Sequence, residues 1–234
     1  MAQQFFDFQQ FRVHQSRSAM KVSTDACLFG AWIPIGSSKS VLDAGTGTGL
    51  LALMVAQRAP LAQISAVDFE NGAIADAITN FQNSPYKDRL RVTQADILEF
   101  EHEPFELVVC NPPFFSGTPS QNSSRAKARH QHSWGKFLSA LVELTAKDGS
   151  LVMLLPCPGY QGVMDEAKHL GLYPSLMTKV FPHRGKPANR AFLQFRKSQS
   201  SIRETQITIY DPHPEYSAEF AELLGDFYLR FASS

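Results

Sequence analysis

The stretch Asp43-Ala44-Gly45-Thr46-Gly47-Thr48-Gly49 decides the reading of this chain. It closes a short apolar run, Ser40–Ala44. It opens onto Leu50–Arg58, where Leu50, Leu51, Met54 and Val55 recur at helical spacing. Glycines between a strand and a helix let the backbone turn tightly and come close to a ligand. The spacing is Gly-x-Gly-x-Gly, not the Gly-x-Gly-x-x-Gly of dinucleotide-binding folds. No Lys-Ser/Thr pair follows, as it would in a phosphate-binding loop. The residue directly before the glycines is acidic. A carboxylate there repels a pyrophosphate and attracts an ammonium group.

Moving outward, Ile64–Val67 is a second strand, closed by Asp68, 23 residues after Gly45. A carboxylate at that place accepts hydrogen bonds from both ribose hydroxyls. Leu90–Gln94 is a third strand, and Asp96 beyond it suits an adenine amine. Acidic residues at three successive strand ends exceed what a packing turn requires. The expected cofactor-binding residues are therefore Asp43, Gly45, Thr46, Gly47, Gly49, Asp68 and Asp96. Together they describe a site for a cationic nucleoside bearing an amino acid, S-adenosylmethionine.

The surrounding chain alternates strands and helices. Gly72–Phe81 is a helix with Ile74, Ala77, Ile78 and Phe81 on one face. Phe105–Cys110 is a fourth strand, Phe137–Ala146 a helix, Ser150–Leu155 a fifth strand and Gly162–Leu170 a helix. Leu176–Phe181 and Ala191–Arg196 complete the core. This order predicts an α/β fold with a mostly parallel, doubly wound sheet and helices on both faces. The short link from Pro182 to Arg190 reads as a hairpin, so the last of the seven core strands should be antiparallel. One domain is expected. It has an N-terminal segment (1–36), a core (37–197) and an extension (198–234) with a strand at Gln206–Tyr210 and a helix at Ser217–Phe231. That extension is too short to bury a core of its own.

After the fourth strand comes Asn111-Pro112-Pro113-Phe114, the expected catalytic residues. Two prolines fix their φ angles and remove two backbone donors. The Asn111 side-chain oxygen and the Pro112 carbonyl are then available to accept from one exocyclic amine, and Phe114 offers a stacking face for a flat base. An amine conjugated to an aromatic ring is a poor nucleophile. Acceptors on its hydrogens favour a tetrahedral nitrogen and stabilise the charge that grows as a methyl group arrives. The target is a planar nitrogen.

Ser116–Ser133 is long for a connection and carries Arg125, Lys127, Arg129, His130 and His132 with no acidic residue. His183, Arg184, Lys186 and Arg190 form a second basic cluster. Both are expected to grip RNA phosphates around an extruded base. The chain as a whole is neutral: Lys+Arg and Asp+Glu are both 22. Only local patches therefore point to nucleic acid. His130-x-His132 lacks a neighbouring carboxylate or cysteine, and no metal is expected. The three cysteines, Cys27, Cys110 and Cys157, are widely spaced and suggest buried thiols rather than a disulfide framework. No apolar run approaches the roughly 20 residues of a membrane span. With no secretory signal pattern, a cytoplasmic location is expected. Nothing marks an interface, so a monomer or weak homo-oligomer is expected. Phe5, Phe6, Phe8 and Phe11 are expected to pack against the domain edge.

The chain resembles class I S-adenosylmethionine-dependent methyltransferases of the amino-methylating branch. More narrowly, it is similar to the bacterial valine-tRNA adenine-N6 methyltransferases, which modify the adenosine just 3′ of the anticodon. The resemblance rests on Phe11–Trp32, the glycine loop, Asn111–Phe115, Arg125–His130 and Tyr216–Leu229. The family more often has Tyr at the position of Phe114; stacking survives the change and a hydroxyl contact does not. The resemblance implies a Rossmann-like class I fold and a tRNA partner. It also implies cofactor roles for Lys21, Thr24 and Asp25, in the segment that covers the site. The tetrapeptide alone is shared with enzymes that methylate cytosine-N4 or protein glutamine. Those substrates, and a binding module without catalysis, are the rival readings.

Overall fold

The computed structural model describes residues 4–112, 134–211 and 215–232. A small antiparallel hairpin, β1 (Phe5–Asp7) and β2 (Arg12–His14), comes first. Helix α1 (Thr24–Trp32) follows, then β3 (Ser40–Ala44), α2 (Leu50–Arg58), β4 (Gln63–Asp68), α3 (Asn71–Gln82), β5 (Leu90–Gln94) and β6 (Phe105–Cys110). After them come α4 (Trp134–Glu143), β7 (Thr145–Pro156), α5 (Tyr160–His169), β8 (Tyr173–His183), β9 (Arg190–Arg196), β10 (Arg203–Tyr210) and α6 (Ala218–Leu224).

The main sheet runs β10-β8-β9-β7-β6-β3-β4-β5. Strand β9 is antiparallel to both β7 and β8, and the remaining pairs are parallel. The expected mostly parallel α/β sheet is present, with its hairpin-fed antiparallel strand. It has eight strands rather than the expected seven. The extra strand is β10, which extends the sheet beside β8 because β8 offers it a full parallel register, Arg203↔Leu176 to Tyr210↔His183. The extension after residue 197 thus belongs to the sheet itself.

The inner strands are buried on both faces, so they read as unbroken apolar runs. Leu42, Leu107, Val108, Leu151 and Val152 are fully buried. One core, on the face of α1 and α2, includes Phe29, Leu53, Met54, Phe192 and Phe220. The other lies under α4 and α5 and includes Leu138, Leu141, Met164 and Phe195. Helix α1 approaches α2 closely: a Cβ at Gly30 would meet Met54 Sδ at 2.5 Å. The end of α2 and the loop after it are held by Arg89, whose guanidinium donates to the carbonyls of Ala56, Ala59 and Ala62 at 2.8, 2.9 and 3.1 Å.

Several boundaries differ from expectation. Helix α4 stops at Glu143, not Ala146, and the Thr145 hydroxyl donates to the Leu141 carbonyl at 2.7 Å. The chain then enters β7 early, with Gly149 so close to β6 that a Cβ would meet the Glu106 carbonyl at 2.8 Å. Helix α6 ends at Leu224 instead of running to Phe231, since Gly225 and Asp226 are poor helix formers. The turn that follows meets the N-terminus: Gln9 Nε2 donates to the carbonyls of Gly225 and Tyr228 at 2.6 and 2.9 Å. On α3, Ile78 is 40% exposed, and the buried stripe includes Asp76 and Asn80 in its place. Phe8 and Phe11 are buried against this edge, while Phe5 is half-exposed under the Arg12 guanidinium.

Candidate functional site

Strand order reverses at β3. The chain moves outward through β4 and β5, then returns to β6 on the other side. In open parallel sheets the crevice at the carboxyl ends of such strands holds ligands. Ala44 pairs with Cys110, so Gly45 and Asn111 leave adjacent strand ends and flank this crevice.

The loop takes its shape from left-handed glycines, Gly45 (φ 72°), Gly47 (φ 57°) and Gly49 (φ 82°). They serve different ends. A Cβ at Gly45 would touch nothing within 4 Å, whereas one at Gly49 would meet the Phe81 ring at 2.5 Å. Gly45 faces open space, and Gly49 lets α2 start against α3. The amides of Gly45 and Thr46 donate to the Val67 carbonyl at 2.8 and 3.0 Å, tying the loop to the end of β4.

The expected acidic residues lie around this loop. Asp68 Oδ2 accepts from the Gly47 amide at 2.9 Å and Oδ1 from the Glu70 amide at 3.0 Å. Each oxygen keeps capacity for a further donor. Ala95 donates to the Asp68 carbonyl at 3.0 Å, which brings Asp96 to the same rim; Asp96 Oδ1 accepts from the Leu98 amide at 3.1 Å. Asp43 is only 1% exposed. Its Oδ2 accepts from the Thr46 hydroxyl at 2.6 Å and the Ala52 amide at 3.1 Å, while its buried Oδ1 has no hydrogen-bond partner among the described residues. Burial pushes the Asp43 carboxyl up to about 6 against the pull of those donors. A buried carboxylate oxygen without a donor is costly. A loop open at Gly45, an orphaned Oδ1 and two further carboxylates fit a ligand with an ammonium and several hydroxyl or amine donors.

Of the residues singled out by resemblance, Lys21 precedes α1, and Thr24 and Asp25 open it. The Lys21 ammonium donates to the Ser18 carbonyl at 2.8 Å and to the Gln15 carbonyl, folding its own segment into a tight turn. Thr24 is the first residue of α1, capped by Ser23, whose hydroxyl accepts from Ala26 at 3.2 Å. Asp25 pairs with Arg190 Nε at 2.9 Å, joining α1 to the start of β9. In the second basic cluster, Arg184 is ion-paired with Asp211, His183 stacks on Tyr210, and Lys186 is exposed on the β8–β9 turn. That turn lies on the site's side of the sheet, because Arg190 of antiparallel β9 pairs with Pro156 at the end of β7.

Asn111 is half-buried at the end of β6, and Pro112 is buried. Pro113, Phe114, Arg125, Lys127, Arg129, His130 and His132 lie outside the described residues. Two polar side chains near the site had no place in the sequence expectations. Asp76 and Asn80 of α3 are 2% and 0% exposed and bond the segment before α1. Their signal was a pair of polar residues four apart on an otherwise apolar helical stripe.

Over residues 18–153 the chain matches the family described as methyltransferase small domain. A relative from Vibrio campbellii (strain ATCC BAA-1116), named tRNA1(Val) (adenine(37)-N6)-methyltransferase, is 41% identical over 231 residues, 96% of this chain and 95% of the relative. One from Histophilus somni (strain 2336), with the same name, is 38% identical over 236 residues, 97% and 98% of the two chains. Among solved structures, a predicted O-methyltransferase from Agrobacterium tumefaciens superposes with a TM-score of 0.66 at 16% identity, covering 90% of this chain and 98% of that one. The 1,6-didemethyltoxoflavin-N1-methyltransferase of Burkholderia thailandensis, solved with S-adenosylhomocysteine, gives 0.56 at 16% identity, covering 74% and 79%. These two likenesses concern the fold alone.

Proposed function

The chain belongs to the methyltransferase small-domain family, among the bacterial tRNA1(Val) (adenine(37)-N6)-methyltransferases, and on that premise we propose that it methylates N6 of adenosine 37 in tRNA1(Val) with S-adenosylmethionine as donor. The observation that carries this reading is the juxtaposition of Gly45 and Asn111 at adjacent strand ends, through the Ala44↔Cys110 register.

S-adenosylmethionine supplies an electrophilic methyl group on a sulfonium sulfur. Asp68 and Asp96 suit its ribose and adenine, and the orphaned oxygen of Asp43 suits its ammonium. Asn111 and the Pro112 carbonyl accept from the adenine N6 hydrogens. They localise the nitrogen lone pair and aim it. Neither is a base, so N6 attacks as the neutral amine and its surplus proton leaves to water afterwards. Phe114 supplies the stacking face. The lysine and arginines at 125–129, together with Lys186 of the β8–β9 turn, supply phosphate contacts. No helix among the described residues is long and apolar enough to cross a membrane. The cytoplasm, where tRNA is modified, is the proposed location.

The test is methyl transfer from labelled S-adenosylmethionine to total tRNA and to total protein. Label is expected in tRNA. Label confined to protein would point to glutamine as the acceptor, and label in neither to a binding module.

A further inference from the structure

The segment before α1 comes up to the glycine loop at Ser18. Ser18 is buried, and its hydroxyl stands 3.9 Å from where a Cβ of Gly47 would be. Ser18 is held there from α3. Asp76 Oδ2 accepts from the amides of Arg17 and Ser18 at 2.9 and 2.8 Å. One helical turn on, Asn80 takes both main-chain groups of His14: Oδ1 accepts from its amide at 2.7 Å, and Nδ2 donates to its carbonyl at 2.9 Å. The same Nδ2 donates to the Thr48 carbonyl at 2.8 Å, so one amide spans the covering segment and the glycine loop. One turn earlier, Gly72 completes the stripe. A Cβ there would meet the Arg17 carbonyl at 2.5 Å. Residues four apart lie on one helix face, and all three contact the same strap.

We propose that Gly72, Asp76 and Asn80 are positioning residues that fasten residues 14–18 over the glycine loop and thereby set the affinity of the site for its nucleoside cofactor. The inference rests on the reading of the crevice as an S-adenosylmethionine site. The bonds from α3 run to main-chain atoms of the strap, and Lys21 adds its own bonds to the Gln15 and Ser18 carbonyls.

The experiment measures S-adenosylhomocysteine binding by calorimetry for the full chain and for Gly72→Ala, Asp76→Ala, Asp76→Asn and Asn80→Ala. Thermal midpoints and trypsin cleavage after Arg17 are followed in parallel. The three alanine variants are expected to weaken binding about tenfold and to speed cleavage. Asp76→Asn, which keeps an acceptor, should recover most of the affinity. In turnover, the KM for S-adenosylmethionine should rise more than kcat falls. Gly72→Ala separates clamp from fold, because alanine favours the helix and removes no buried polar bond. It also carries the test if the buried variants do not fold. A Gly72→Ala dissociation constant equal to wild type, despite faster cleavage, overturns the clamp. Wild-type chain that binds no S-adenosylhomocysteine overturns the cofactor reading and the clamp with it.

Discussion

On the proposed function, Asn111→Ala removes one of two acceptors for the target amine and leaves the residues assigned to the cofactor in place. Its kcat should fall about a hundredfold or more with S-adenosylhomocysteine affinity nearly unchanged. An equal loss of that affinity would assign Asn111 to the cofactor instead. Asp43 makes a different prediction. Burial raises its carboxyl to about 6, so the folded chain holds that proton more tightly than the unfolded chain does. Stability from this group is full below the ordinary carboxylate range, falls from roughly pH 4 as the pH rises towards 6, and is level above. The loss is on the order of 3 kcal/mol. Asp43→Asn should flatten that part of the thermal-midpoint profile of the ligand-free chain. In wild type, S-adenosylhomocysteine should bind more weakly below pH 6, where Asp43 is protonated and no longer attracts an ammonium. Parallel pH profiles of wild type and variant would show a contradiction directly.

The elements that carry the site were legible because local sequence dictates them. Strands β3, β4, β6 and β7 are apolar runs, and Asp43, Asp68 and Asp96 stand where those runs or their neighbours end. Gly49 shows how strictly the loop is specified. Its φ of 82° and its approach to the Phe81 ring both exclude a side chain. Gly49→Ala should cost about 1–3 kcal/mol, read from urea unfolding. Other elements left little trace. Strands β1 and β2 have three residues each, too few for a periodicity. Helix α6 stops at Leu224 because the next turn is claimed by the N-terminus. Asp76 and Asn80 had no role assigned from the sequence. Their meaning depends on amides 58 and 66 residues away.

Across the whole molecule, the N-terminal hairpin and the segment from α6 onward pack together beside α1. Gln9 bonds the turn after α6, Phe8 bridges Tyr228, and Phe220 packs in the same core as Phe29 of α1. The strap between β2 and α1 is therefore anchored by the N-terminal hairpin on one side and by α1 on the other. Gln9→Ala removes both bonds and should lower the thermal midpoint by several degrees, about 1–2 kcal/mol. It touches no residue of the crevice. The tRNA contacts proposed for the β8–β9 turn belong to this scale too. Lys186→Ala should weaken tRNA binding modestly and lower its salt dependence by about one charge. The central claim is tested most directly by nucleoside mass spectrometry. tRNA1(Val) lacking the modification is incubated with the purified chain and S-adenosylmethionine, then digested and mapped. N6-methyladenosine at position 37, absent with Asn111→Ala, is the predicted result. Methylation at another base or at protein glutamine by an active chain would contradict it.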